Sequence, residues 1–321
     1  MHKVVTYPLN GTRKAYEIFF KLPETSTPMR LDYEGQAASN FIKDLILNDQ
    51  PCMISRFGAN ELQATIRYLD ITENKSFIIK SLKYIRGEAG KFWWDDSVKF
   101  SMEKHGGFFP ANEEFLARFG NRMLTDIKNI DVLGSWLAGE ARLSQFFPKA
   151  KTIPLGDLDP YCHSHPWSKA LEDKIILIIH PFEKSIQRQY AKRDVLFDNP
   201  EVLPRFQLKT LKAVQSISGN SVPFSNWFQA LDSMCFQISN INFDIAIIGA
   251  GAYGLPLAAY IKSIGKKAIH LGGATQILFG IKGKRWDERP FYQQLYNENW
   301  VRPLSIEVPD KAHIVEGGCY W

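Results

Sequence analysis

The chain predicts an α/β fold: a Rossmann-like, mostly parallel sheet with helices on both faces. Three observations carry this. Apolar runs of strand length recur at 51–58, 129–137, 150–156, 173–182, 243–251 and 266–273. Helical patterns lie between them, the arrangement that parallel strands and their crossovers require. Residues 243–273, "FDIAIIGAGAYGLPLAAYIKSIGKKAIHLGG", read without interruption as strand, glycine turn, helix and strand.

A helix is expected from about Tyr33 to Leu47, before the buried strand "PCMISRFG". Gly58 then turns the chain, and Asn60 stands where it would cap a helix over 60–69. Further helices are expected at 113–128, 200–217 and 224–240. The last carries Phe224, Trp227, Phe228, Leu231, Cys235 and Ile238 at three- and four-residue spacing, an amphipathic core face. Segment 84–110 and the aromatic tail 280–321 have no clear period; the tail, with Trp286, Tyr292, Tyr296, Trp300 and Trp321, reads as an extension packed across the sheet or shaping a lid. No linker rich in Pro, Gly or Ser interrupts the chain, so 1–321 reads as one composite domain.

The 321 residues are 45% hydrophobic and 23% charged, an ordinary globular composition. No run nears the roughly 18 apolar residues of a membrane span. The start, "MHKVVTYPLNGTRK", has no apolar signal core, which points to the cytoplasm. A net charge of +5, with no basic recognition helix or RNA-binding signature, argues against nucleic acid. It suits a phosphate-bearing ligand or peripheral association with an anionic membrane at its inner face. Cys52, Cys162, Cys235 and Cys319 form no C-x-x-C and read as reduced thiols. Cys162, His163 and His165 lack a second ligand pair and read as a polar loop, not a zinc site. No G-x-S-x-G elbow, Walker loop or H-E-x-x-H helix occurs, which removes the common hydrolase, nucleotidase and metalloprotease classes.

Gly249-x-Gly251-x-x-Gly254 has the context of a dinucleotide turn: a strand before it, and after it a helix with Pro256 in the first turn and Gly265 as its end. A dinucleotide site also needs a carboxylate at the end of the next strand for the ribose. That strand ends in His270 and Leu271, so NAD is not expected. The turn reads either as a tight bend without a ligand or as a wall against a phosphate or sugar.

In "CMISRFGANEL" a buried strand delivers Arg56 and Glu61 to its carboxyl end, where open α/β sheets hold ligands. An arginine there can grip a phosphate, and a carboxylate can ligate a metal or act as a base. Equally, Glu61 can complement the helix dipole with Arg56 as its partner. This stretch resembles the "RFGDGE"-type signature of the GT-D-fold glycosyltransferases of bacterial surface-glycan synthesis, and 243–273 is similar to that family's C-terminal strand–turn–helix–strand. The resemblance implies one Rossmann-like domain that transfers a sugar from a nucleotide-sugar donor, with a D-x-E motif holding a divalent metal, Mn²⁺ or Mg²⁺. Here that motif reads Ala59-Asn60-Glu61, so the first carboxylate is missing and the metal is in doubt.

Asp157-x-Asp159 after a strand is either a turn or a metal site offsetting that loss. His180 ends the most apolar strand, and Lys184, Arg188, Lys192 and Arg193 follow as candidate phosphate ligands or an exposed helix face. Trp136 and Glu140 follow another strand; the first is a stacking or core residue, the second a candidate acid or base. The leading expectation is a glycosyltransferase with Glu61 as catalytic residue. Arg56, Gly58, Asn60, His180, Arg188, Gly249, Gly251 and Gly254 would bind the donor, with Glu61, Asp157 and Asp159 the metal candidates. Its acceptor would be a glycan or lipid-linked glycan. The rivals are a Rossmann-type oxidoreductase using NAD(P) or FAD, and a non-catalytic member of a glycan-assembly complex.

Overall fold

The computed structural model describes residues 3–22, 28–315 and 317–321. Seven strands, β1 (Met53–Ser55), β2 (Val132–Ser135), β3 (Lys151–Pro154), β4 (Ile175–His180), β5 (Gln207–Lys212), β6 (Ile245–Ile248) and β7 (Lys267–His270), form one sheet ordered β3-β2-β1-β7-β6-β4-β5. Every pairing is parallel. This is the Rossmann-like α/β architecture that the alternating pattern predicts.

Parallel strands need crossovers, and the crossovers cover both faces. Met53, Leu133, Leu177, Ile179, Ala246, Ile248 and Ala268 enter one core, with helices Ala59–Thr72, Glu113–Asp126, Trp227–Ser239 and Gly254–Ser263. Their strand neighbours Ile54, Val132, Ile176, Ile178, Ile245, Ile247 and Ile269 enter the other, with helices Gly35–Leu47 and Glu183–Tyr190 and the tail's Trp286 and Trp300. The period-two alternation sets which residues face which layer.

The chain leaving β4 runs outward to β5, whereas the chain leaving β6 turns back to β7. Their helices, Glu183–Tyr190 and Gly254–Ser263, therefore lie on opposite faces, and a crevice opens between the carboxyl ends of β4 and β6.

Two expectations are corrected, and one element is added. The helix expected over 200–217 is instead edge strand β5, where Lys209 and Lys212 are exposed and Pro204 upstream disfavours a helix. Asn60 does not cap: the helix begins at Ala59, with Gly58 in the cap position. Residues 3–19, not read as an element, form a helix that packs on a second one, Phe77–Ile85. Among the described residues no helix is long and apolar enough to cross a membrane.

Candidate functional site

The crevice at the carboxyl edge encloses about 1240 Å³ of space open to solvent. Turns after β1, β4, β6 and β7 form its walls, and the tail adds Arg285, Tyr320 and Trp321. Arg56, Gly58, Asn60, Glu61, His180, Gly249 and Gly251 all line it, so seven predicted residues from three distant segments meet there.

The turn after β1 supplies the charge. Glu61 sits in the first turn of helix Ala59–Thr72, where a carboxylate suits the helix dipole. It folds back so far that a Cβ on Gly58 would lie 1.8 Å from its Oε2. Gly58 thus leaves room for the carboxylate folded over it, and its φ of −76 involves no backbone strain. Burial raises the Glu61 carboxyl above its ordinary range, against the lowering pull of its own backbone N–H and of Arg56.

Arg56 lies beside Gly272 and under Trp136, its Cζ 5.0 Å from the ring centroid. Burial pulls the guanidinium below its ordinary value, with Glu61 opposing. An arginine stays charged even so. Its buried Nε has no hydrogen-bond partner among the described residues. A buried donor left open on a cation is costly unless a ligand fills it. Trp136, 46% exposed, is held in place by its Nε1 donating to the Phe57 carbonyl at 2.9 Å. Glu140 is fully buried and accepts from Ser135 Oγ and from the Trp136 N–H, so it braces the loop and does not enter the crevice.

The glycine turn after β6 is occupied by histidines. A Cβ on Gly249 would lie 2.6 Å from both the Gly272 carbonyl and His180 Cδ2. One on Gly254 would lie 2.1 Å from His270 Nε2. Two of the three glycines therefore make room for imidazoles, and Gly251 bends the chain at φ +52. Burial lowers both rings to about 3, keeping them neutral. His180 Nδ1 accepts the Phe182 N–H at 3.0 Å, so its proton is on Nε2 and the crevice-lining ring is a donor. His270 Nδ1 is 3.1 Å from Ser55 Oγ and faces the turn beneath Arg56.

The tail completes the opposite wall. Gln276 is 1% exposed, and its Nε2 donates to two carbonyls, Tyr320 at 3.1 Å and Ile281 at 3.3 Å. Two acceptors fix the amide orientation, which leaves Oε1 as the open atom. Trp321 Nε1 is also buried without a partner. Three residues of the crevice lining therefore hold a buried polar atom without a hydrogen-bond partner: Arg56 Nε, Gln276 Oε1 and Trp321 Nε1.

Four predicted residues do not line this site: Gly254, which faces the His270 ring, and Arg188, Asp157 and Asp159. Arg188 is exposed on helix Glu183–Tyr190 and does not line the crevice. Asp157 accepts the Gly35 N–H at 2.7 Å and caps the start of helix Gly35–Leu47. Asp159 is buried away from the crevice lining, its carboxyl raised to about 7 by that burial. The donors around Glu61 do not fit a divalent cation: one carboxylate beside a guanidinium, with an amide at Asn60. Among the described residues no group of three His, Cys, Asp or Glu stands ready for a metal.

Gln276, Trp321, Tyr320 and Arg285 were not anticipated as site residues. The aromatic bias of the tail pointed to its part of the wall, whereas Gln276, in helix Ala274–Leu278 before the tail, is turned inward by two carbonyls and has no sequence pattern. No family model, curated protein or solved structure matches the chain.

Proposed function

We propose that the crevice binds a nucleotide-activated sugar and that the protein is a glycosyltransferase of glycan or surface-polysaccharide assembly. The Arg56 guanidinium, lining the crevice at the end of β1 beside a helix N-terminus with its buried Nε unpartnered, carries this reading. It calls for an anion at the point where the sheet topology places ligands. Gln276 Oε1 and Trp321 Nε1 on the facing wall suit the neutral, hydrogen-bonding part of the same molecule.

In the transfer, an acceptor hydroxyl oxygen bonds to the anomeric carbon as the bond from that carbon to the phosphate oxygen breaks. The electron pair leaves with the nucleoside diphosphate. Arg56 and the His180 Nε2–H oppose the growing negative charge. The acceptor's proton passes to the Glu61 carboxylate; its raised affinity for a proton is the shift a base needs near neutral pH. No step is routed through a metal, because the donors at Glu61 do not suit one. The acceptor would be a glycan or lipid-linked glycan, reached from the cytoplasmic face of a membrane.

A dinucleotide is disfavoured by the same geometry. Gly249 and Gly254 are closed over by the Gly272 carbonyl, His180 and His270, and β7 ends in an imidazole instead of a carboxylate. Melting curves with UDP-, GDP- and dTDP-sugars, NAD(P) and Mn²⁺ test the reading. A rise with a nucleotide-sugar but not with NAD(P) supports it; a rise with NAD(P) alone favours the oxidoreductase. Silence across the panel favours a non-catalytic role.

A further inference from the structure

The helices Lys3–Phe19 and Phe77–Ile85 lie outside the crevice, and no step of the proposed transfer uses them. Their inner faces are tied together. Tyr84 Oη donates to Asn10 Oδ1 at 2.6 Å, and Arg13 Nη1 donates to the Tyr84 carbonyl at 3.1 Å and the Ala89 carbonyl at 3.3 Å. Tyr84 also packs on Trp93, with Leu9 against the same small cluster. The outer faces have no such cover. Ile18 and Phe19 are 78% and 79% exposed, followed by Phe20 at 55%. On the second helix Phe77, Ile78, Ile79 and Leu82 are 46–69% exposed. Seven large apolar side chains exposed on two adjoining helices exceed the scattered exposure of an ordinary surface.

Charge says what covers them. Segments 3–21 and 73–88 contain eight basic residues (Lys3, Arg13, Lys14, Lys21, Lys75, Lys80, Lys83, Arg86) and three acidic ones (Glu17, Glu73, Glu88); Arg13 and Lys80 turn to backbone carbonyls, while Lys14, Lys21, Lys75 and Arg86 are exposed. That excess of five equals the net charge of the whole chain, so the remaining residues are balanced. Apolar side chains interspersed with lysines are the pattern of helices that lie in a membrane interface. The apolar groups enter the acyl boundary, and the ammonium groups meet anionic headgroups.

We infer that these two helices form a docking surface for an anionic lipid bilayer, held in the membrane plane without crossing it. A groove supports the placement. It is lined by Ala59, which also lines the crevice, and runs past Gln63, Arg67 and Asp70 to Gly90, beside the carbonyl that Arg13 holds. The groove thus lies between the crevice, with which it shares Ala59, and Gly90, the neighbour of the residue that Arg13 holds. The lipid docking stands independently of the transferase reading; only the use of the groove by a lipid-linked acceptor rests on it.

Co-sedimentation of the full chain with vesicles tests the docking. Vesicles of phosphatidylcholine with 30% phosphatidylglycerol are compared with phosphatidylcholine alone, at low and high salt. Binding to the anionic vesicles at least tenfold tighter, weakened by salt, is expected. The doubly exposed variants Ile18→Ser/Phe19→Ser and Phe77→Ser/Ile78→Ser should keep the wild-type melting temperature and lose most of that binding. Lys14→Glu/Lys83→Glu should lose the preference for the anionic vesicles. Equal sedimentation of wild type and all three variants, or none by the wild type, overturns the inference. So does a wild-type dimer in light scattering that the serine variants render monomeric, which would make the occupant a second copy. Binding of a nucleotide-sugar by a serine variant that no longer sediments separates this surface from the crevice.

Discussion

Two strand-to-helix turns share one edge of the sheet, and they use glycine for opposite ends. After β1, Gly58 leaves space for the Glu61 carboxylate, and Arg56 beside it has a buried Nε without a partner. After β6, Gly249 and Gly254 leave space for His180 and His270, neutral rings already packed against them. The first turn brings a charged pair to the crevice, while at the second the glycines make room for side chains of the protein itself. A glycine motif therefore reports only that something approaches the backbone closely; whether that is a pyrophosphate or an imidazole depends on residues far away in sequence.

The largest expected effect lies at the first turn. Glu61→Gln should lower turnover by about 10²–10⁴ while leaving donor binding and melting temperature near wild type, as for loss of a general base. Single-turnover rates beside binding titrations check this, and full activity in the variant would remove Glu61 from the chemistry.

At the second turn the loss should be one of folding. Gly249→Ala forces a methyl into the Gly272 carbonyl at 2.6 Å, and Gly254→Ala forces one into His270 at 2.1 Å. Each should cost about 2–4 kcal/mol of stability, the upper range of overpacking. Denaturant unfolding measures it. Stable variants with weakened ligand binding would instead make this turn a binding element and break the contrast.

A smaller effect separates Asp159 from the histidines by pH. Its carboxyl, raised to about 7, contributes stability that is present below its unfolded value and lost as pH rises toward and through 7. Asp159→Asn should match wild type near pH 4 and exceed it at pH 8. His180 and His270, lowered to about 3, act in the other direction: their contribution is full above about 6.5 and is lost as pH falls toward 3. Melting temperature against pH, for wild type and Asp159→Asn, shows both slopes.

The smallest effect is at Asp157. Asp157→Ala removes the acceptor for the Gly35 N–H and should cost about 0.5–2 kcal/mol, the range for a lost helix cap. Activity should be unchanged with or without added Mn²⁺; a metal-dependent loss would return Asp157 to the site.

The sequence carried the sheet well, because buried parallel strands are short, continuous apolar runs. It failed at β5, an edge strand whose half-exposed alternation of Leu208, Thr210 and Leu211 with lysines also fits a helix face. The N-terminal helix was hidden by Pro8 and Gly11, poor helix formers that packing on Tyr84 offsets. At the site, Arg56 and Glu61 were legible because both follow one strand. Gln276 and Trp321 were not: their role arises from hydrogen bonds that leave one atom of each open, a property of the folded tail alone.

The central claim is that Arg56, and not the glycine turn, holds the ligand's anion. Calorimetric titration of wild type and Arg56→Ala with nucleotide-sugars and with NAD addresses it directly. The account predicts that wild type binds a nucleotide-sugar and not NAD, and that Arg56→Ala raises its Kd about ten- to hundredfold, the worth of one charged hydrogen bond. Denaturant unfolding of the same variant reports separately what is lost when Glu61 and Trp136 lose the guanidinium beside them. NAD binding by wild type that survives in Arg56→Ala would contradict it.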